Sequence, residues 1–277
     1  MPLIIVPTPV GNLEDMTIRG LNVLRSADVI ACEDTRHTLG LLNHYDIKKP
    51  LVSCHEHNEK ERSEDLMKRI ERGETVALVS DAGTPGLSDP GAVVIREAIK
   101  RGLPYDVLPG ANAMLPALLL SGMDMDSFMF VGFLKGKDSD KKNRLNEIKG
   151  VRETLVFYVA PHGIRKELAF IGSILGDRKA VLVREISKIH QETIPGTLLT
   201  FKDTLPEEKI KGEFVCIVEG CTEIEEEISD SVWQNEADEM LKDGTSVKDL
   251  ANLLSVKYSI PRNRIKRYAM TGNAEEV

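Results

Sequence analysis

Aromatic side chains make up only 5% of the 277 residues, and Trp233 is the single tryptophan. Cores built from this chain must rest mainly on Leu, Ile, Val and Ala. No apolar run approaches the roughly 20 residues that a membrane span needs. The opening run, residues 3–6, meets Pro7, which suits a buried strand and not a signal peptide. The expectation is a cytoplasmic protein with no membrane partner. Cys32, Cys54, Cys216 and Cys221 form no Cys-x-x-Cys pair, so buried thiols are expected rather than a disulfide scaffold. Basic residues are outnumbered, 36 Lys+Arg against 44 Asp+Glu, for a net charge of −8. That balance excludes blanket coating of nucleic acid but leaves room for local basic patches. Gly-x-Gly-x-x-Gly, the P-loop pattern and Gly-x-Ser-x-Gly are all absent. The ordinary dinucleotide, nucleoside-triphosphate and α/β-hydrolase readings therefore lack support.

What is present reads as an α/β chain of about two domains with an appendage. Strand-like runs at 3–6, 28–32, 51–54, 75–80 and 105–108 alternate with amphipathic stretches. Thr17 opens one helix, Asn58 with Glu61 resembles a capping box, and Asp89-Pro90 begins a third helix ending near Gly102. Such alternation implies crossover connections and a mostly parallel sheet covered on both faces. The first domain is assigned to residues 1–121. A second α/β domain, 122–222, carries strands at 128–134, 154–159, 180–184, 196–201 and 213–219, a helix at 163–175 and a mobile polar loop at 135–143. The third, 223–277, starts with nine acids between 223 and 243 against Lys242 alone. Thr245 or Ser246 then caps a helix bearing Val247, Leu250, Ala251 and Leu254, and Ser259-Ile260-Pro261 turns into a last basic helix.

Four strand ends carry unusual residues: Pro7–Leu13, Glu33-Asp34-Thr35-Arg36, residues 80–86 and Pro109-Gly110-Ala111-Asn112-Ala113. In open α/β sheets, ligands gather beyond the carboxyl ends of strands. One Gly/Pro-rich turn is usually only a turn. Four on successive strands predict a small-molecule site walled by backbone.

The same segments, with His55-Glu56-His57-Asn58 and Lys211-Gly212-Glu213-Phe214-Val215, closely resemble the ribosomal RNA small subunit methyltransferase I family, a branch of the tetrapyrrole methylase superfamily. The resemblance spans essentially the whole chain. It implies two α/β domains with the cofactor, S-adenosylmethionine, between them, and commonly a homodimer; the small C-terminal helical domain read from the tail is appended to these. It also implies methylation of the ribose 2′-hydroxyl of a decoding-region cytidine in small-subunit ribosomal RNA. Carried over by position, the cofactor would contact Pro7, Pro9 and Gly11, then Asp81, Ala82, Gly83 and Thr84, and then Gly110, Ala111, Asn112 and Ala113. Tyr158, Ala160, Gly196 and Thr197 would flank its adenine. Relatives tend to have Glu-Ser-Pro-His-Arg where this chain has Val159-Ala160-Pro161-His162-Gly163, and often Pro where it has Lys135.

Methyl transfer to an alcohol needs alignment, exclusion of water and an acceptor for the hydroxyl proton. The candidates are Glu33, Asp34, His55, Glu56 and His57, with Arg36 holding a phosphate or orienting a carboxylate; no single base emerges. His55-Glu56-His57 also suggests metal binding, but no third ligand has a telling spacing, so none is expected. RNA contact is expected from Lys135, Lys137, Lys141, Lys142 and Arg144, and from Arg262, Arg264, Lys266 and Arg267. Two other readings are a methyltransferase of small tetrapyrroles and a ligand-sensing DNA-binding regulator. The basic patches favour a large polyanion over a macrocycle.

Overall fold

The computed structural model describes residues 2–222, 230–258 and 260–271. Contacts divide the chain into two units, Met1–Cys221 and Thr222–Val277.

The first unit holds two five-stranded sheets. In the first, β1 (Leu3–Ile5), β2 (Val29–Cys32), β3 (Leu51–Ser53), β4 (Val76–Leu78) and β5 (Tyr105–Val107) run in the order β3-β2-β4-β1-β5. Every pairing is parallel. Strand side chains alternate between faces, and the two cores follow that alternation. Leu3, Ile5, Val29, Ala31, Val76 and Leu78 pack under α3 (Glu59–Glu71) and α4 (Ala92–Lys100). Val6, Ile30, Cys32, Ala77 and Val79 pack on the opposite side, under α1 (Ile18–Ser26) and α2 (Thr35–His44). Thr17 caps α1 as expected, its hydroxyl accepting from Gly20 N at 3.0 Å.

The next helix, α5 (Met114–Ser121), leaves this sheet for the other one. Its Ala117 and Leu118 pack on Val156, Val181, Val183, Val215 and Ile217. The second sheet has the order β6-β7-β10-β8-β9, built from β6 (Phe128–Gly132), β7 (Thr154–Val159), β8 (Lys179–Arg184), β9 (Glu192–Thr197) and β10 (Phe214–Val218). Only β6 and β7 are parallel. Its far face is covered by α6 (Asp138–Glu147), α7 (Ile164–Leu175) and α8 (Phe201–Thr204), through Leu145, Leu168, Ile171 and Phe201.

Three local expectations are corrected. The polar loop expected at 135–143 is largely helix α6, which buries only Leu145, too sparse a stripe to show as periodicity. The strand expected at 196–201 ends at Thr197, because Thr197 and Thr200 trade hydrogen bonds that turn the chain into α8. Asn58 makes no side-chain cap; its Oδ1 accepts from His55 N at 2.8 Å.

In the second unit, α9 (Asp230–Lys242), α10 (Val247–Tyr258) and α11 (Arg262–Thr271) bury Trp233, Ala237, Leu250, Ala251, Leu254, Ile265 and Ala269. The C-terminal part of the acidic run therefore forms a third helix, where only two were expected. Its N-terminal part, and Ser259 of the expected turn, lie outside the described residues. Among the described residues no helix is long and apolar enough to cross a membrane.

The cap of α4 comes from another element. Glu59, buried at the start of α3, accepts from Gly91 N at 2.6 Å and Val93 N at 3.0 Å. A carboxylate at a helix N-terminus satisfies orphan N–H groups and interacts favourably with the positive end of the dipole. Truncation leaves those donors unpaired in a dry site, and hydrogen bonds to charged groups contribute about 1.5–3 kcal/mol each. Glu59→Ala is therefore expected to lower unfolding free energy by about 2–3 kcal/mol, measured by urea denaturation, with Glu59→Gln recovering part of the loss.

Candidate active site

Four loops leave the carboxyl ends of β1, β2, β4 and β5, and their backbones are tied together. Thr8 N donates to Gly83 O at 2.9 Å, and Gly83 N donates to Thr8 O at 2.8 Å. The buried Thr8 hydroxyl donates to Ser80 O at 2.9 Å. From the same β4 loop, Thr84 Oγ1 donates to Ala111 O at 3.1 Å, while Asp81 Oδ1 accepts from Asp34 N at 3.2 Å. A Cβ at Gly110 would stand 2.7 Å from Pro7 Cβ, so only glycine lets the β5 loop close against the β1 loop.

Beside these ties lies a cleft of about 270 Å³ between the two sheets. Val10, residues 82–84, Leu87, Asp89 and residues 112–114 line its first-sheet side. Phe130, Phe133, residues 158–161 and residues 213–215 line the other. The Tyr158 ring meets Phe130 and Phe133 edge-on, with centroids 5.1 and 5.4 Å apart. A second, more open hollow of about 490 Å³ shares Val10 and Asn112 and adds Asp15, Thr17, Gly110, Ala111, Leu115 and Gln191.

Of the expected cofactor contacts, Ala82, Gly83, Thr84, Asn112, Ala113, Tyr158 and Ala160 line the cleft, and Gly110 and Ala111 line the second hollow. Asp81 sits in the β4 loop with its carboxylate engaged by Asp34 N. Pro7, Pro9 and Gly11 line neither space; Pro7 packs on Gly110, and Gly11 lies against Ile186 and Lys188. Gly196 and Thr197 also line neither, since Gly196 faces the Phe201 ring and Thr197 bonds to Thr200.

None of Glu33, Asp34, Arg36, His55 and His57 lines the cleft. Asp34 caps α2 and is clasped by the exposed Arg36, 2.8 Å away, which holds its carboxyl far below the usual range. Glu33 is raised by burial and by Asp81, and lies in the field of His55 and Glu56. The His55 and His57 rings stand 6.0 Å apart. Among the described residues no three His, Cys, Asp or Glu side chains are grouped to hold a metal ion.

Sequence reasoning missed Leu87, Phe130, Phe133, Glu213 and above all Asp89, which was read only as a helix start. Asp89 in fact precedes α4 by a turn and faces the cleft. Burial, with Glu33, Asp81 and Glu213 adding repulsion, pushes its carboxyl up to about 6, and Lys135 opposes the rise. Burial likewise pushes the Tyr158 hydroxyl up to about 12. Glu213 is fixed by Lys188 Nζ at 3.1 Å, which also holds Glu185 at 2.9 Å.

The basic candidates divide. Lys141 pairs with Glu167 at 3.5 Å, Arg144 with Glu147 at 3.1 Å and Arg264 with Asp230 at 2.7 Å. Lys135, Lys137 and Lys142 are exposed and make no ion pair among the described residues; on α11, Arg262 and Arg267 are exposed and Lys266 is half-buried.

Residues 2–201 match the family described as Tetrapyrrole (Corrin/Porphyrin) Methylases. The chain is 38% identical over 268 residues to a Bacillus subtilis protein named ribosomal RNA small subunit methyltransferase I, covering 95% of this chain and 92% of that one. It is 45% identical over 218 residues to a protein of the same name from Halalkalibacterium halodurans, covering 79% and 75%. Among solved structures, the methyltransferase CobJ superposes with a TM-score of 0.62 at 17% identity over 79% of this chain and 94% of CobJ. A Thermus thermophilus uroporphyrin-III C-methyltransferase solved with S-adenyl homocysteine gives 0.55 at 17% identity, over 78% and 97%. At such identities these superpositions bear on the fold.

The raised Asp89 carboxyl makes a stability prediction. Its ordinary value is 3.8 and its folded value about 6, so the fold holds the neutral acid better than the carboxylate. That contribution is complete below 3.8 and lost as pH rises through 6. Asp89→Asn, neutral throughout, is expected to be more stable than the parent at pH 7.5 by about 1 kcal/mol, solvent on the open side screening part of the repulsion. Thermal melts should show a gain of about 2–4 °C at pH 7.5 that vanishes near pH 4.

Proposed function

This chain belongs to the ribosomal RNA small subunit methyltransferase I family, among the tetrapyrrole methylases, and from that membership we propose that it transfers a methyl group from S-adenosylmethionine to small-subunit ribosomal RNA. The acceptor in this reading is the ribose 2′-hydroxyl of a decoding-region cytidine. The observation that carries it is a cleft built from strand-end loops, with rings on one side and carboxylates at Asp89 and Glu213.

That lining fits the donor's chemistry. Phe130, Phe133 and Tyr158 offer apolar area for a purine. The close-set backbone at Ala82, Thr84 and 112–114, beside a Gly83 whose own N–H and C=O are taken by Thr8, offers polar groups to its polar parts. Asp89 and Glu213 suit a ligand carrying positive charge. When bound, the donor supplies an electrophilic methyl group on a cationic sulfur. The protein's own contribution is to bind, align and keep water out, and alignment alone is worth about 7–11 kcal/mol in such reactions. Pro7, Pro9, Gly11 and Asp81 act in this reading by shaping the loops. Glu33, Asp34, Arg36, His55 and His57 form the surface that receives the nucleotide. Lys135, Lys137, Lys141, Lys142 and Arg144, with Arg262, Arg264, Lys266 and Arg267, meet phosphates. The protein acts in the cytoplasm as a homodimer.

Labelled-methyl transfer to small ribosomal subunits, naked RNA and tetrapyrroles in parallel tests the reading. Label is expected in the subunit at one cytidine ribose; label only in a macrocycle overturns it. Light scattering is expected to give twice the chain mass, and a single-chain mass at micromolar concentration rejects the dimer. Replacing the unpaired Lys137 and Lys142 with Ala is expected to reduce the slope of log affinity against log salt by about 0.7–0.9 per lost phosphate contact. An unchanged slope removes α6 and its approach from the RNA surface.

A further inference from the structure

Resting on the methyl-transfer reading, we propose that His162, Lys166 and Lys211 form, with Lys135, a track that holds RNA phosphates along the second-sheet rim of the cleft. The first three have no role in that reading, and strand pairing brings their segments together. β6 and β7 run parallel, β10 runs antiparallel to β7 with Phe214 opposite Val159, and β8 is antiparallel to β10 with Arg184 opposite Phe214. The carboxyl ends of β6, β7 and β8 therefore share one rim with the start of β10. That rim supplies Phe133, residues 158–161 and residues 213–215 to the cleft lining.

Three of the cations stand at matching places on it. Lys135 lies three residues after Gly132 of β6, His162 three after Val159 of β7, and Lys211 three before Phe214 of β10. These strands are neighbours in the sheet, and at about 4.8 Å per strand they cover about 10 Å of rim. That is about the rise of three stacked nucleotides. Lys166 follows His162 by one helical turn, in the first turn of α7. The Lys141–Glu167 pair then ties α7 to α6, which carries Lys142 and begins after Lys137. His162, Lys166 and Lys211 are exposed and make no ion pair or side-chain hydrogen bond among the described residues.

The two sides of the cleft mouth differ in charge. On the first sheet, the segments after β2, β3 and β4 carry Glu33, Asp34, Glu56, Asp81 and Asp89, and Arg36 there is clasped by Asp34. On the second-sheet rim and the adjoining starts of α6 and α7, most acids are already matched. Lys188 holds Glu185 and Glu213, Lys141 holds Glu167 and Arg165 holds Glu207, while Asp140 accepts from Lys137 N at 3.1 Å. Asp138 and Glu208 are left against Lys135, Lys137, Lys142, Lys166 and Lys211. Cations spread over about 10 Å, close to the Debye length at physiological salt, act together on a polyanion. The lysine ammonium groups and the His162 ring N–H all donate to phosphate oxygens. Phosphate contacts of this kind set position and register and carry no sequence information. The backbone is thus held on the basic rim, and the target ribose reaches across the cleft mouth toward the Glu33 and His55 surface.

The test measures binding to small ribosomal subunits and to naked small-subunit ribosomal RNA across a potassium chloride titration. It compares the full-length parent with His162→Ala/Lys166→Ala/Lys211→Ala and with the charge-keeping Lys166→Arg/Lys211→Arg. Lys48→Ala/Lys202→Ala serves as control, since both lysines are exposed and lie beyond the strand ends opposite the cleft. S-adenosylhomocysteine binding by calorimetry reports on the fold and the cleft. The triple variant is expected to lose about 0.7–0.9 from the slope of log affinity against log salt for each lysine contact, with both substrates. Its affinity near physiological salt should fall about tenfold or more, while its Kd for S-adenosylhomocysteine stays within about threefold. The arginine variant and the control should keep the parent slope. An unchanged slope in the triple variant, an equal loss in the control, or a loss that arginine does not restore overturns the track. A matching fall in S-adenosylhomocysteine affinity marks damage to the cleft and overturns it too. A loss with subunits that is absent with naked RNA assigns the rim to a ribosomal protein, which again overturns it. A parent that neither binds nor methylates either substrate overturns the methyl-transfer reading; an active parent whose triple variant keeps the slope overturns the track alone.

Discussion

The loop after β4 is the hinge of the whole arrangement, because it is bonded to three of its neighbours at once. Two main-chain bonds join Gly83 to Thr8, a hydroxyl joins Thr84 to Ala111, and the Asp81 carboxylate takes Asp34 N. In a parallel sheet the strands end on one side, but nothing in the strands makes their loops meet. Here β4 lies between β2 and β1, so its loop can reach both. These links replace water with protein partners for backbone groups that would otherwise be buried unpaired. They also leave little freedom in the part of the cleft wall made of main chain.

The opposing wall comes from the second sheet, and α5 supplies the physical connection. It begins directly after the β5 loop, and its buried residues belong to the core of the second sheet rather than the first. Asn112 and Ala113, at the start of that helix, line the cleft. A helix committed to one sheet by hydrophobic burial and to the other by chain connection transmits the position of either to the ligand space. The Phe130, Phe133 and Tyr158 rings then face main chain across the gap, giving one face for apolar recognition and one for hydrogen bonding.

The parallel sheet, its order of strand and helix, and the gathering of the strand-end loops were legible because each leaves a local mark: short β-branched runs, the Thr17 cap, clustered Gly and Pro. What escaped reading was tertiary. Glu59 looks like one more charged residue at a helix start, yet it caps a different helix 32 residues away. Asp89 looks like a helix-initiating Asp-Pro, and only the fold turns it toward the cleft. Helix α6 was hidden because Leu145 alone marks its buried side. Gly196 carries no sign that its missing side chain makes room for Phe201. In each case the deciding partner is distant in sequence, beyond what periodicity or spacing encodes.

The acids around the cleft present an electrostatic problem that the molecule answers by separation. Glu33, Asp81, Asp89 and Glu213 gather where the chain is already net negative, and a polyanionic substrate would be repelled there. Two features limit the conflict. Several of these charges are already matched: Glu213 by Lys188, and Asp81 by a backbone donor. Lys135, at the approach to α6, lowers the repulsion at Asp89 directly. What remains unmatched is concentrated at Asp89, the carboxylate with least to hold it and most to gain from a cation beside it. An acid left in that condition is destabilising to the fold, and a cationic ligand beside it would offset that cost, which is the trade expected of a functional position.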